Sequence, residues 1–127
     1  MRVTAHALMS HVIERRTTVE KRSRIGKNEV AGLGKLYLHG GQALKRDELG
    51  LTNSEYAVFA KLAWFGLAQR ETEQRWSITD LGIAFIEGRA RVQSVAVTVN
   101  REFVRLEGEL VRAGDVNQEF YFEGVYA

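Results

Sequence analysis

The sequence predicts an α+β fold, on three observations. Apolar residues recur at three- and four-residue spacing in several stretches before residue 90. A polar, hairpin-like passage runs into a short alternating segment and a threonine-capped helix between residues 69 and 88. Beyond residue 90, valines alternate with small residues at the two-residue period of a strand. With 127 residues, 45% of them hydrophobic, the chain is expected to form one domain whose core needs no metal or disulfide. Its expected parts are helices with a basic linker over 1–42, a central core over 43–88 and a β extension over 89–127.

The first helix is predicted from Thr4, a capping residue, through Ala5, Leu8, Met9, Val12 and Ile13. Asn28 and Glu29 open a second periodic run through Val30, Leu33, Leu36 and Tyr37, closed by Gly40-Gly41. Gly32 and Gly34 weaken this helix by roughly 1 kcal/mol each relative to alanine. Ala43 to Leu49 reads as a short helix stopped at Gly50. A longer helix follows from about Asn53, with Tyr56, Phe59, Ala60, Leu62, Ala63 and Leu67 near one face, ended at Gly66.

Gln69 to Arg75 has the polarity of an exposed hairpin tip, Trp76-Ser77-Ile78 reads as a strand, and Thr79-Asp80 caps a helix from Leu81 to Ile86 that stops at Gly88. Val95, Val97 and Val99 predict a strand, Asn100-Arg101 a tight turn, and Phe103, Val104 and Leu106 a second strand. Gly108-Glu109 and Ala113-Gly114-Asp115 look like further turns. The aromatic Phe120-Tyr121-Phe122 either completes this sheet or packs it on the helices.

Composition excludes several classes. There is no cysteine, hence no disulfide framework, thiolate zinc site or cysteine nucleophile. The lack of a signal-like apolar start adds to the expectation of a reducing cytoplasm. No apolar run approaches the roughly 20 residues that span a bilayer. Charge is distributed unevenly. Residues 1–50 carry 10 Lys and Arg against 5 Asp and Glu, whereas residues 51–127 carry 8 against 11. The surplus is concentrated in Arg15, Arg16, Lys21, Arg22, Arg24 and Lys27, which face a single Glu20. It reads either as a site for an anionic partner or as a solvated loop or helix end.

The order helix, short helix, turn, longer helix, hairpin and closing helix resembles a winged helix-turn-helix domain. The residues that carry the resemblance are Asp47-Glu48-Leu49-Gly50-Leu51-Thr52, then Tyr56, Phe59, Lys61-Leu62 and Phe65-Gly66-Leu67. They continue in Trp76-Ser77-Ile78-Thr79-Asp80-Leu81-Gly82 with Phe85 and Gly88. The segment from Trp76 is similar to the end of a bacterial wing, where a strand enters a threonine-capped helix with an early glycine. The match covers residues 43–88, about a third of the chain. It implies a winged helix-turn-helix core with an extra N-terminal helix and a small C-terminal antiparallel sheet. The whole pattern is also similar to small proteins of phages and other mobile elements, some with amino-terminal cysteines that this chain lacks. That similarity implies transcriptional control or interference with a host system.

In a DNA-binding domain of this kind the longer helix enters the major groove. On it, Asn53, Ser54 and Lys61 suit a groove, whereas Glu55 tends to be repelled by phosphate, although a carboxylate can accept from cytosine. Backbone contacts are expected from Arg70 and Arg75 flanking the wing and from Arg15, Arg16, Lys21 and Arg22 as a flexible basic arm. Glu71 and Glu73 between the two wing arginines weaken the local potential, which leaves plain hairpin solubility as the other reading. Val58, Trp64 and Phe65 serve equally well as an outward protein contact, or are simply covered.

Chemistry finds little support. His6 and His11 are five residues apart, off the i,i+4 spacing of a helical metal pair, and His39 stands alone. Gly40-Gly41 lacks the Gly-Lys-Ser/Thr of a phosphate loop, and no G-x-S-x-G element occurs. The sequence therefore predicts no catalytic residues, metal or cofactor. Its expected partner is double-stranded DNA, bound by a homodimer that pairs through the first helix or the aromatic carboxy-terminal region. The competing expectation is a protein-interaction module that binds a host complex.

Overall fold

The computed structural model describes residues 19–120. These residues form an α+β structure of four helices and two small antiparallel sheets. The strands are β1 (Glu20–Arg24), β2 (Leu44–Lys45), β3 (Ala68–Arg70), β4 (Arg75–Ile78), β5 (Val92–Val99) and β6 (Glu102–Val111). The helices are α1 (Lys27–Leu38), α2 (Asn53–Val58), α3 (Asp80–Ile86) and α4 (Ala113–Val116). One sheet has the order β2-β4-β3 and the other β1-β5-β6. The expected first helix over Thr4–Ile13, Arg15 and Arg16, and Tyr121 and Phe122 lie outside the described residues.

The helix α1 forms where its periodicity predicts, despite Gly32 and Gly34. A Cβ at Gly32 would stand 3.0 Å from Phe59 Cδ1, and one at Gly34 would run into the Phe120 ring. The helix thus exchanges propensity for two seats in which aromatic rings lie against its backbone. Val30, Leu33 and Leu36 on the same helix are fully buried, together with Phe59, Leu62, Phe65, Leu67, Trp76 and Phe85. The core cluster extends from Ile25 to Ala113 and so joins all three expected parts of the chain.

Ala43–Leu49 is a correction to the sequence reading. Leu44 and Lys45 pair with Trp76 and Arg75 as a short strand, and only Arg46–Glu48 turns, as a single 3₁₀ turn. The chain uses Leu44 to complete the sheet beneath the hairpin, and three residues suffice to redirect it. The long helix is also shorter than predicted. It is α-helical over Asn53–Val58 and continues as a 3₁₀ helix over Phe59–Ala63. At three residues per turn, Phe59, Leu62 and Phe65 share one face, and all three are buried. Tyr56 is 40% exposed and Ala63 is exposed, so the inward face expected for a uniform α-helix does not persist.

The hairpin and closing helix follow the sequence closely. Thr79 Oγ1 accepts the Gly82 N–H at 3.0 Å and donates to the Gly66 carbonyl at 2.6 Å, so one side chain caps α3 and ties it to the preceding turn. Gly82 sits against the carbonyl of Leu67, where a Cβ would collide with that oxygen and lie 2.8 Å from Ile78 Cγ1.

The basic stretch gives the largest correction. Lys21 and Arg22 belong to no flexible arm: residues 20–24 pair in full register with Val95–Val99 of β5. β5 and β6 form the expected hairpin, whose turn residues Asn100 and Arg101 have φ of 52° and 69°. Gly108-Glu109 is not a turn. β6 runs through it, and the pairing shifts from Val95↔Glu107 to Gln93↔Leu110, which leaves two residues opposite Ser94. Gly108 has φ 87°, the left-handed conformation such a bulge requires. Ala113-Gly114-Asp115, also read as a turn, belongs to the short helix α4.

Charged side chains cover one face of the second sheet. Arg105 donates to Glu20 at 2.9 and 3.0 Å, Arg22 donates to Glu107 at 2.6 Å, and Arg24 pairs with Glu109. These three glutamates and three arginines bridge from β1 to β6 across β5. Beneath them Val97 is fully buried, flanked in register by Arg22 and Arg105, whose aliphatic stems roof it. The hydrogen bond from Arg24 holds the Glu109 carboxyl at about 2, and those from Arg105 and Arg22 hold Glu20 and Glu107 below the ordinary carboxylate range.

Carboxylates depressed in the folded state add stability above their unfolded pKa, and that contribution is lost as pH falls through the folded values. The thermal midpoint should therefore drop as pH is lowered from about 5 to about 2.5. A Glu20→Gln, Glu107→Gln, Glu109→Gln triple variant should start lower at neutral pH and show a shallower acid loss. An equally steep acid loss in that variant would place the sensitivity elsewhere. Gly82→Ala should gain about 1 kcal/mol of helix propensity but lose more to overpacking, for a net destabilisation of roughly 2 kcal/mol in urea unfolding.

Candidate nucleic-acid interface

The orientation of α2 is fixed at its first turn. Thr52 Oγ1 accepts the Glu55 N–H at 3.1 Å, and the Glu55 carboxylate accepts the Thr52 N–H at 3.0 Å, a reciprocal cap. The same carboxylate accepts from Lys35 Nζ at 2.6 Å and so anchors α2 on α1. Burial pushes the Glu55 carboxyl up, but the hydrogen bonds from Lys35 and Thr52 outweigh it, and the group titrates below its ordinary value. Glu55, read from sequence as a charge repelled by phosphate at the flank of the groove-facing side, is instead 8% exposed and spent on this anchor.

Two neighbouring grooves open between α2, its 3₁₀ continuation and the β3–β4 hairpin. The first, of about 280 Å³, is lined by Lys45, Arg46, Asp47, Tyr56, Arg70, Gln74 and Trp76. The second, of about 500 Å³, is lined by Lys61, Trp64, Arg70, Trp76 and Arg101 with Ala60 and Ala63. Arg70 and Trp76 border both, so the surface is continuous. Arg46 Cζ lies 4.3 Å from the centre of the Tyr56 ring, and Arg70 Cζ lies 5.0 Å from that of Trp76. Each guanidinium is thus held against a ring rather than by a carboxylate, and a contact of this kind leaves its positive charge uncancelled. Lys45, Arg46, Lys61, Arg70 and Arg101 form no ion pair with a carboxylate of the described residues. Asp47 is the single acid lining either groove.

The site residues expected from sequence divide unevenly. Lys61 and Arg70 lie in the grooves, and Asn53 and Ser54 are exposed on the first turn of α2. Arg75 lies on β4 but pairs with Glu48 at 3.5 Å and Glu73 at 3.8 Å, so its charge is locally balanced. Arg22 is committed to Glu107 and Glu20, and Lys21 lies on β1, outside either groove lining. Of the apolar trio, Trp64 is half-buried in the second groove and Val58 is half-buried. Phe65 is 1% exposed, which removes it as an outward contact, because the 3₁₀ turn points it into the core. Lys45, Arg46, Tyr56, Trp76 and Arg101 were not anticipated as site residues.

Among the described residues no group of three or more His, Cys, Asp or Glu could hold a metal ion. His39 ends α1, with Nδ1 donating to the Lys35 carbonyl at 2.9 Å. No helix among the described residues is long and apolar enough to cross a membrane. No protein-family model, curated protein or solved structure matches the chain.

If Glu55 sets the angle of α2, Glu55→Ala should cost about 1–2 kcal/mol by removing both the cap and the Lys35 bond. Guanidinium unfolding measures the loss, and a cost indistinguishable from that of an exposed alanine substitution would remove Glu55 from this role.

Proposed function

We propose that the protein binds double-stranded DNA through the two-groove surface as a winged-helix regulator. The observation that carries this reading is the convergence of Lys45, Arg46, Lys61, Arg70 and Arg101, all without carboxylate partners among the described residues, around Tyr56, Trp64 and Trp76. The element order supports it as well. The reading takes helix α1, strand β2, a 3₁₀ turn, α2 and the β3–β4 hairpin, with sheet order β2-β4-β3, as the helices and wing of a winged helix-turn-helix. In this reading α2 presents Asn53, Ser54 and Lys61 to the duplex, the hairpin is the wing, and the arginines and lysines hold the phosphate backbone. Regulation of transcription for a phage or mobile element is the role this reading assigns, in the cytoplasm and as a homodimer. The burial of Phe65 shrinks the apolar patch that favoured a host protein complex, and Trp64 belongs to the basic groove.

Engaging about five phosphates makes affinity fall by roughly two to three powers of ten between about 50 and about 200 mM salt. Random-sequence duplex titrated by fluorescence anisotropy should show that slope. The Arg46→Glu, Lys61→Glu double variant should bind roughly 100-fold more weakly or worse at the lower salt, with an unchanged melting curve. Wild-type affinity in the double variant would sink this assignment of the surface, and absence of duplex binding at both salts would return a protein partner to the lead.

A further inference from the structure

The second groove has a wall that the helix–hairpin unit does not supply. Arg101 stands on the turn between β5 and β6, in the other sheet, yet lines the same groove as Lys61 from the 3₁₀ helix and Arg70 from β3. Two consecutive elements and a turn about 30 residues further on bring three cations together, and no carboxylate lines this groove among the described residues. Trp64 and Trp76, the only two tryptophans of the chain, form its walls.

The backbone at Arg101 is a second and independent observation. It lies at φ 69°, in the second central position of a two-residue turn where glycine is the favoured residue. A long cationic side chain stands where the turn itself favours none. The turn is held from behind by the pairs Val99↔Glu102 and Glu20↔Val99, and by the ion pairs that join β1 to β6. A residue kept in an unfavourable conformation on a well-supported element is a reason to look for a function of its side chain.

Resting on the duplex-binding reading, we propose that the β5–β6 turn is an additional DNA-contact element. In this proposal Arg101, with Lys61 and Arg70, binds a backbone phosphate of the duplex in the second groove. The side chain therefore extends the footprint beyond the helix and the β3–β4 hairpin, and it contributes about one phosphate contact to the salt dependence.

Arg101→Gly and Arg101→Ala, titrated with random duplex over a salt series, test the proposal. Both should bind several-fold more weakly and reduce the log–log salt slope by about 1, and Arg101→Lys should restore most of the slope. Arg101→Gly should also melt at the same temperature or higher, since glycine relieves the turn. Weaker binding together with a more stable fold is a result that a purely structural arginine does not produce. Unchanged affinity and slope in both variants would overturn the contact while leaving the duplex-binding surface in place.

Tryptophan fluorescence, which reports on the second groove through Trp64 and on both grooves through Trp76, identifies the source of the phosphate. Duplex should change it in the wild type and much less in Arg101→Ala. A change caused by inorganic phosphate with no duplex binding would overturn both this inference and the reading on which it rests.

Discussion

Phe59 is the residue on which the site depends. Its ring lies against Gly32 of α1 on one side and meets Trp76 edge-on at 5.3 Å and 89° on the other. Trp76 in turn carries Arg70. A single line of packing thus runs from the backbone of the central helix, through the core, to a guanidinium at the surface. The segment that contains Phe59 also contains Tyr56 and Lys61, so the ring that fills the core fixes the spacing between α2 and the hairpin. The grooves exist because an aromatic layer, rather than a loop, forms their floor. A smaller residue at 59 would leave a void beneath Trp76 and release the surface that the two rings hold.

Much of the local structure was legible because it is locally encoded. Helix α1 announces itself by Val30, Leu33 and Leu36, α3 by its threonine cap, and the β5–β6 hairpin by alternating valines around Asn100-Arg101. What was not legible depends on partners distant in the chain. β1 reads as a solvated basic run because the strand it pairs with, Val95–Val99, and the glutamates that neutralise its arginines, Glu107 and Glu109 some 85 positions on, are distant in the chain. The position of Phe65 turns on a switch from α to 3₁₀ geometry at Phe59, which no period of the sequence marks. The site shows the same limit. Lys61 and Arg70 stand out as candidates by their place on the helix and hairpin, whereas Lys45, Arg46 and Arg101 come to the grooves from segments that only the fold assembles.

The arginines illustrate that charge in a sequence is not charge available at a surface. The amino-terminal surplus drew attention to Arg22 and Arg24, yet both are neutralised by glutamates of β6. The cations that remain without carboxylate partners at the grooves are fewer and scattered, and their distinction is the aromatic surface beneath them. An arginine over an acid closes a sheet, and an arginine over a ring stays open to an anion. The two uses sit within one small chain and separate the arginines that close its sheet from those left without a carboxylate at the grooves.

The order of signs along the bridged strands has its own consequence. Read from its start, β1 presents Glu20, Arg22 and Arg24, and β6 answers with Arg105, Glu107 and Glu109. The pairs are diagonal across β5, so sliding β1 by two residues in one direction would bring Glu20 beside Glu107, and in the other would carry Glu20 away from Arg105. A slip of one residue would turn Ile25 from the core to the outer face. Each misalignment therefore meets a like-charge contact, a carboxylate without its arginine or an exposed core residue, and the diagonal charge pairs favour one alignment of the strands.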